Sequence, residues 1–225
     1  MESPEWQRGW DLVCSWQMPD GAWQPNGQVA ESHWSTALAV TLHCARKQFD
    51  APFHRGVEWL LNQTGIESTM LSRFFGLFFE NNIGHDRKFA GWPWLPGTNA
   101  WIEPTSHALV ALKCAAPTVN TSALRRRVTL AEGMILRRRC ADGGWNYGSR
   151  AALGIDLPSY PETTALALLG MKVTREARSF EGPSGAHTGS DMTGPTKFAA
   201  SALDVGRAAA RMILGFMCLL LGRRA

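Results

Sequence analysis

One order of signals recurs three times and confines this chain to a fold of repeated helical units. Gln17-Met-Pro-Asp-Gly21-Ala-Trp23 is followed by a short polar loop and by Glu31-Ser-His33-Trp34-Ser-Thr36-Ala37-Leu38. Gly91-Trp92-Pro-Trp94 leads in the same way to Glu103-Pro-Thr-Ser-His107-Ala108-Leu109. Asp142-Gly143-Gly144-Trp145-Asn-Tyr147-Gly148 leads through a longer loop to Pro161-Glu162-Thr-Thr164-Ala165-Leu166. Matched on Ala37, Ala108 and Ala165, the units lie 71 and 57 residues apart, room for about two helices each. A unit of that size cannot bury its apolar face alone, so neighbours must stack.

The segments after the loops have helical spacing. Trp34, Leu38, Thr41, Leu42 and Ala45 share one face. Phe53, Val57, Leu60 and Leu61 form a second stripe, and Leu124, Val128, Ala131 and Ile135 a third. Residues 69–80 are apolar enough for a further helix. No stretch alternates with period two for long enough to make a strand, so the expected class is all-α, built from helical hairpins. Residues 1–178 form the repeat region. Residues 179–197 read as a Gly-, Pro-, Ser- and Thr-rich linker, and 198–225 as one apolar, Arg-flanked helix whose role the sequence leaves open.

Composition narrows the function classes. A chain 45% hydrophobic and 19% charged is neither disordered nor a coiled coil. The net charge of +4 is concentrated in Arg125–Arg127, Arg137–Arg139 and Arg223–Arg224. These runs read as solvated helix ends, and no recognition motif accompanies them, so no nucleic-acid partner is expected. The five cysteines are odd in number and lack Cys-x-x-Cys spacing, which argues against a disulfide framework and for a reducing, cytoplasmic location. The chain does not open on a basic and then apolar stretch, so no secretory signal is expected. Its longest apolar run, Met212–Gly222, is 11 residues, too short to span a bilayer. Peripheral membrane contact stays open.

The repeats resemble those of the terpenoid cyclases and protein prenyltransferases, the squalene-cyclase or prenyltransferase repeat with its QW motif. Gln17…Gly21-Ala22-Trp23 matches the second half of that motif, Arg55-Gly56-x-x-Trp59-Leu60-x-x-Gln63 its first half, and Gly143-Gly144-Trp145 its end. The resemblance covers roughly residues 6–172. It implies an α/α toroid around an apolar cavity. With three or four hairpins instead of about six, the chain would form a partial barrel, and a homo-oligomer could complete it.

The resemblance also implies site residues. A squalene-type cyclase protonates an alkene with an acid at a helix start, and Glu162 falls where that acid would stand. Ser159-x-x-Glu162 is equally a capping box, and both readings stay open. Trp23, Trp94 and Trp145 occupy the structural clamp position. Trp34, Trp92, Trp101, His107, Tyr147 and Tyr160 lie at the helix starts, where aromatic faces can hold an isoprenoid chain or stabilise a cation. Prenyltransferases of this family hold zinc near the same starts, which makes Glu31, His33 and His107 the metal candidates, although no cofactor is expected. The expected function is an isoprenoid- or lipid-binding repeat domain, with cyclisation or prenyl transfer as its chemistry if it is an enzyme. A repeat scaffold for a protein or glycan partner, and a zinc-dependent prenyltransferase relative, are the alternatives.

Overall fold

Proline and capping residues start the helices that the periodicity predicts. The computed structural model describes residues 3–69, 89–152 and 154–172. Among the described residues six helices run in order: α1 Pro4–Ser15, α2 Thr36–Arg46, α3 Ala51–Asn62, α4 Ile102–Ala115, α5 Ser122–Arg137 and α6 Pro161–Lys172. A short 3-10 turn, Ile66–Ser68, follows α3. A small hairpin, β1 Ala151–Ala152 with β2 Ile155–Asp156, lies in the long third loop. The described residues are thus mostly helical. Residues 70–80 of the further expected helix, the linker over 179–197, the segment 198–225 and Cys218 lie outside the described residues.

The helices form two rows. α2, α4 and α6 pack side by side with α4 in the middle, and α3 and α5 pack against this row and against each other. Phe53, Val57 and Leu60 of α3, and Leu124, Val128, Ala131 and Ile135 of α5, are buried as their spacing predicts. Of the stripe expected on α2, Thr41 alone is fully buried. Ala37, Ala39, Val40 and His43 face the core, whereas Trp34, Leu38 and Leu42 are half-buried and Ala45 is exposed. α2 has apolar residues on both sides, and the side with small residues lies inward because these permit close approach. α4 is buried nearly all round, and Gly170 lets α6 lie close to it: a Cβ there would sit 3.1 Å from the Ser106 carbonyl oxygen.

The outer helices carry side-chain caps. Ser3 accepts from the Trp6 N–H at 3.2 Å, Asp50 from Phe53 at 3.2 Å and Thr121 from Leu124 at 3.2 Å. α2 and α4 lack a side-chain cap bond and start from a tryptophan staple instead.

That staple is built the same way three times. Each indole N–H donates to a carbonyl in the last turn of the preceding outer helix: Trp23 to Val13 at 2.9 Å, Trp92 to Leu60 at 2.9 Å, Trp145 to Ile135 at 2.7 Å. Each backbone N–H of the same tryptophan donates to a threonine hydroxyl in the first turn of the next helix: Thr36 at 2.8 Å, Thr105 at 2.9 Å, Thr164 at 2.9 Å. One residue thus adds a second donor to a carbonyl at one helix end and, through its backbone N–H, fixes the start of another. Asp20-Gly21 and Asp142-Gly143 make matching turns before it, with φ of +94° and +95° at the glycines, a region that glycine enters without penalty.

The staple corrects the expected register of the second unit. Trp92, 2% exposed, is the clamp, and Trp94 is not. Thr36, Thr105 and Thr164 are the equivalent positions, so Ala108 does not match Ala37 and Ala165; Ser106 does.

Two arginines from runs expected to be solvated are buried. Arg127 donates to the carbonyls of Ala90 (2.7 Å), Gln63 (2.7 Å) and Gly91 (2.9 Å), and lies 3.4 Å above the Trp92 ring. Arg138 donates to the Ala100 carbonyl at 2.5 Å and to Glu67 at 2.9 Å. Glu67 in turn accepts the Ala100 N–H at 3.1 Å. These guanidiniums tie loop carbonyls to α5, and their hydrogen bonds compensate the cost of burial.

Candidate functional site

In the corrected register, one stripe crosses α2, α4 and α6. Trp34, Glu103 and Glu162 stand level with one another, and Leu38, His107 and Leu166 form the next row. Leu38, His107 and Leu166 are all half-buried, as are Trp34 and Glu103, while Glu162 is exposed. The site candidates gather at this end, in two adjoining clusters.

The first cluster centres on Trp34. Its ring lies 5.0 Å from Trp94 in an edge contact, 5.3 Å from His107 and 5.7 Å from His33. Beneath it runs a narrow apolar cleft of ≈ 10 Å³, lined by Trp34, Trp59, Trp92, Trp94, Pro96 and Ala108 among others. Trp92 therefore contributes a wall to this cleft while acting as the clamp. Burial pushes the His107 imidazole down to about 4, so it is neutral at pH 7. His33 is likewise lowered by burial, against a smaller opposing effect of Glu31.

The second cluster sits over α6. The Tyr147 and Tyr160 rings are 5.3 Å apart, and the Tyr147 hydroxyl donates to Glu162. The loop is anchored by backbone bonds from Ile102 N–H to the Tyr147 carbonyl at 2.9 Å and from Tyr160 N–H to the Trp145 carbonyl at 2.9 Å. Trp101 covers Gly148, where a Cβ would lie 3.0 Å from the indole ring. Trp101, Tyr147 and Tyr160 are 37%, 40% and 43% exposed, so they rim the site without lining the cleft.

The two carboxylates differ in kind. Glu162 is fully exposed, and the hydrogen bond from Tyr147 holds its carboxyl below the usual carboxylate range, so it is ionised at neutral pH. Glu103 is the group that burial, aided by the nearby negative charge of Glu162, pushes upward. Of the two, Glu103 is the better holder of a proton. Sequence matching on alanine misplaced it by two positions. Equal spacing of Trp23–Thr36 and Trp92–Thr105, 13 residues in each unit, is the signal that places it level with Trp34; the Trp145–Thr164 bond brings Glu162 into the same row.

The metal candidates do not converge. His33 and His107 each lie against Trp34, and among the described residues no three His, Cys, Asp or Glu side chains group to hold a metal. Cys14, Cys44, Cys114 and Cys140 are free thiols, and burial raises Cys44 to about 12, which keeps it protonated. No helix among the described residues is long and apolar enough to cross a membrane.

No known family model matches the chain, and no curated protein matches it.

Proposed function

We propose that this chain is an arc of an α/α toroid of the terpenoid-cyclase type, and that it binds an isoprenoid or similar apolar chain end in the cleft under Trp34 and Trp94. The observation that carries this reading is the apolar cleft capped by an aromatic cluster, at the end of a helix row joined by repeated tryptophan staples. Size limits the ligand. Drug-sized sites occupy about 300–1,000 Å³, and a dry cavity of about 150 Å³ holds benzene. The cleft, ≈ 10 Å³, is far below either, so an apolar chain end enters only as the Trp34 and Trp94 rings part, and the bound segment is short. Binding is the part of the reading that the cleft supports; a proton-initiated step on that ligand would fall to Glu103 before Glu162.

Farnesol is a suitable probe, followed through tryptophan fluorescence. Saturable quenching or a blue shift is expected, weakened in Trp94→Ala, which removes the lid of the cleft. Absence of saturation, or equal affinity in Trp94→Ala, would refute the assignment. A second reading, a repeat scaffold that binds a glycan, is favoured by the exposed rim of Trp101, Tyr147 and Tyr160, since aromatic faces stack on sugar rings. Loss of glycan binding in Tyr147→Ala with farnesol binding intact would support it.

A further inference from the structure

A second cleft opens where α5 ends and the β1–β2 hairpin begins, and it shares no lining residue with the apolar one. Its volume is ≈ 380 Å³. Arg137, Arg139 and Arg150 line it, with Asp156 the one carboxylate, a formal excess of two positive charges.

The backbone that carries these side chains is held. Arg139 is flanked by Arg138, pinned to Glu67 at 2.9 Å, and by Cys140, whose N–H donates to the Gly144 carbonyl at 2.9 Å. The Arg150 carbonyl accepts the Leu157 N–H at 2.8 Å across the hairpin. Basic residues at a helix end complement the helix dipole. That explains Arg137 in the last turn of α5, but not Arg150, which comes from a separate element. Neither Arg139 nor Arg150 has an ion-pair partner among the described residues.

We propose that this cleft binds a phosphate-bearing ligand, a phosphate ester or a diphosphate, held between Arg139 and Arg150 with Arg137 alongside. A guanidinium presents paired N–H donors that match two phosphate oxygens, and it remains charged at any working pH. Two of them on independently anchored elements can grip one group from both sides. A volume of ≈ 380 Å³ falls at the lower end of small-molecule sites, about 300–1,000 Å³, so a phosphorylated small molecule fits as well as a lipid headgroup. The proposal does not depend on the reading of the apolar cleft.

Inorganic pyrophosphate is the first probe, titrated calorimetrically into the full chain at low salt. Saturable binding is expected, weakened roughly tenfold or more in Arg139→Gln/Arg150→Gln, and weakened further as added salt shortens the screening length. Asp156→Asn should act in the opposite sense, tightening binding about twofold by removing a repulsive charge. A misfolded variant could not give that gain. Phosphatidylcholine vesicles containing phosphatidic acid form the second arm. Vesicle binding that pyrophosphate displaces, and that the double variant loses, makes the ligand a lipid headgroup. Pyrophosphate binding without vesicle binding makes it a free phosphorylated molecule. Binding to neither probe, or affinity unchanged in the double variant or unimproved in Asp156→Asn, overturns the proposal.

Discussion

Replacing Thr105 with valine should destabilise the chain far more than the same replacement at Thr41, although both residues are buried. The Thr105 hydroxyl accepts the Trp92 backbone N–H at 2.9 Å, inside a region where Trp92 and Thr105 are 2% and 0% exposed. Valine preserves the shape and removes the acceptor. The Trp92 N–H is then buried without a partner, which costs about 1–3 kcal/mol. The Thr41 hydroxyl, 2.8 Å from the Ala37 carbonyl, only donates to an oxygen already engaged in its helix. Thr41→Val strands nothing and should stay within about 0.5 kcal/mol of the parent. For a chain of this size the Thr105 loss corresponds to a fall in melting temperature of roughly 2–12 °C. Urea unfolding followed by far-UV circular dichroism measures both variants. Thr36→Val should resemble Thr105→Val, and Thr164→Val should cost less because Thr164 is only half-buried. Equal effects at positions 41 and 105 would refute the argument that the staple bears on stability through its threonine acceptor.

Other outcomes follow from the same contacts. Gly91→Ala should be strongly destabilising, since its Cβ would lie 2.5 Å from Thr105 Oγ1 and 3.0 Å from Met134 Cε; a melt at or above the parent's would contradict the packing. Arg138→Met leaves the Glu67 carboxylate buried and unpaired, a loss of about 3–5 kcal/mol, whereas Arg138→Met/Glu67→Leu should recover much of it in a double-mutant cycle. Stability should fall with acid between pH 6.5 and about 4, because His107 titrates near 6.5 when unfolded and about 4 when folded. The unfolded chain then binds the extra proton, and the neutral folded form loses ground as pH drops. Glu103, raised by burial, opposes this at the low end, because its folded form takes up a proton more readily. His107→Asn should flatten the decline in thermal melts from pH 7 to 4, and an unchanged slope would show that another group controls it.

The staple explains why the sequence was informative about architecture yet misleading about positions. Helical periodicity and the Gly-Trp loops were legible because both depend on local geometry. An α-helix must present apolar residues every three or four positions, and an Asp-Gly turn must place glycine where φ is positive, as at Gly21 and Gly143. The α5 stripe and Phe53, Val57 and Leu60 of α3 are buried for that reason, while Leu61 is half-buried at the margin of the core. The second unit was misread because it contains two tryptophans. Trp92 and Trp94 look alike in composition, and only the carbonyl of Leu60 and the hydroxyl of Thr105 select between them.

The sequence by itself determined the helical class, the number of loop-and-helix units and the clustering of aromatics at the helix starts, since these follow from short-range rules. Tertiary structure alone decided which face of α2 is buried, which carboxylate loses solvent and which arginines turn inward. Burial and charge depend on neighbours far apart in the chain. Arg127 is buried because three loop carbonyls and an indole face it, and Glu103 is raised because packing excludes water and brings Glu162 near. Arg139 and Arg150 meet in one cleft only because α5 and the hairpin fold together.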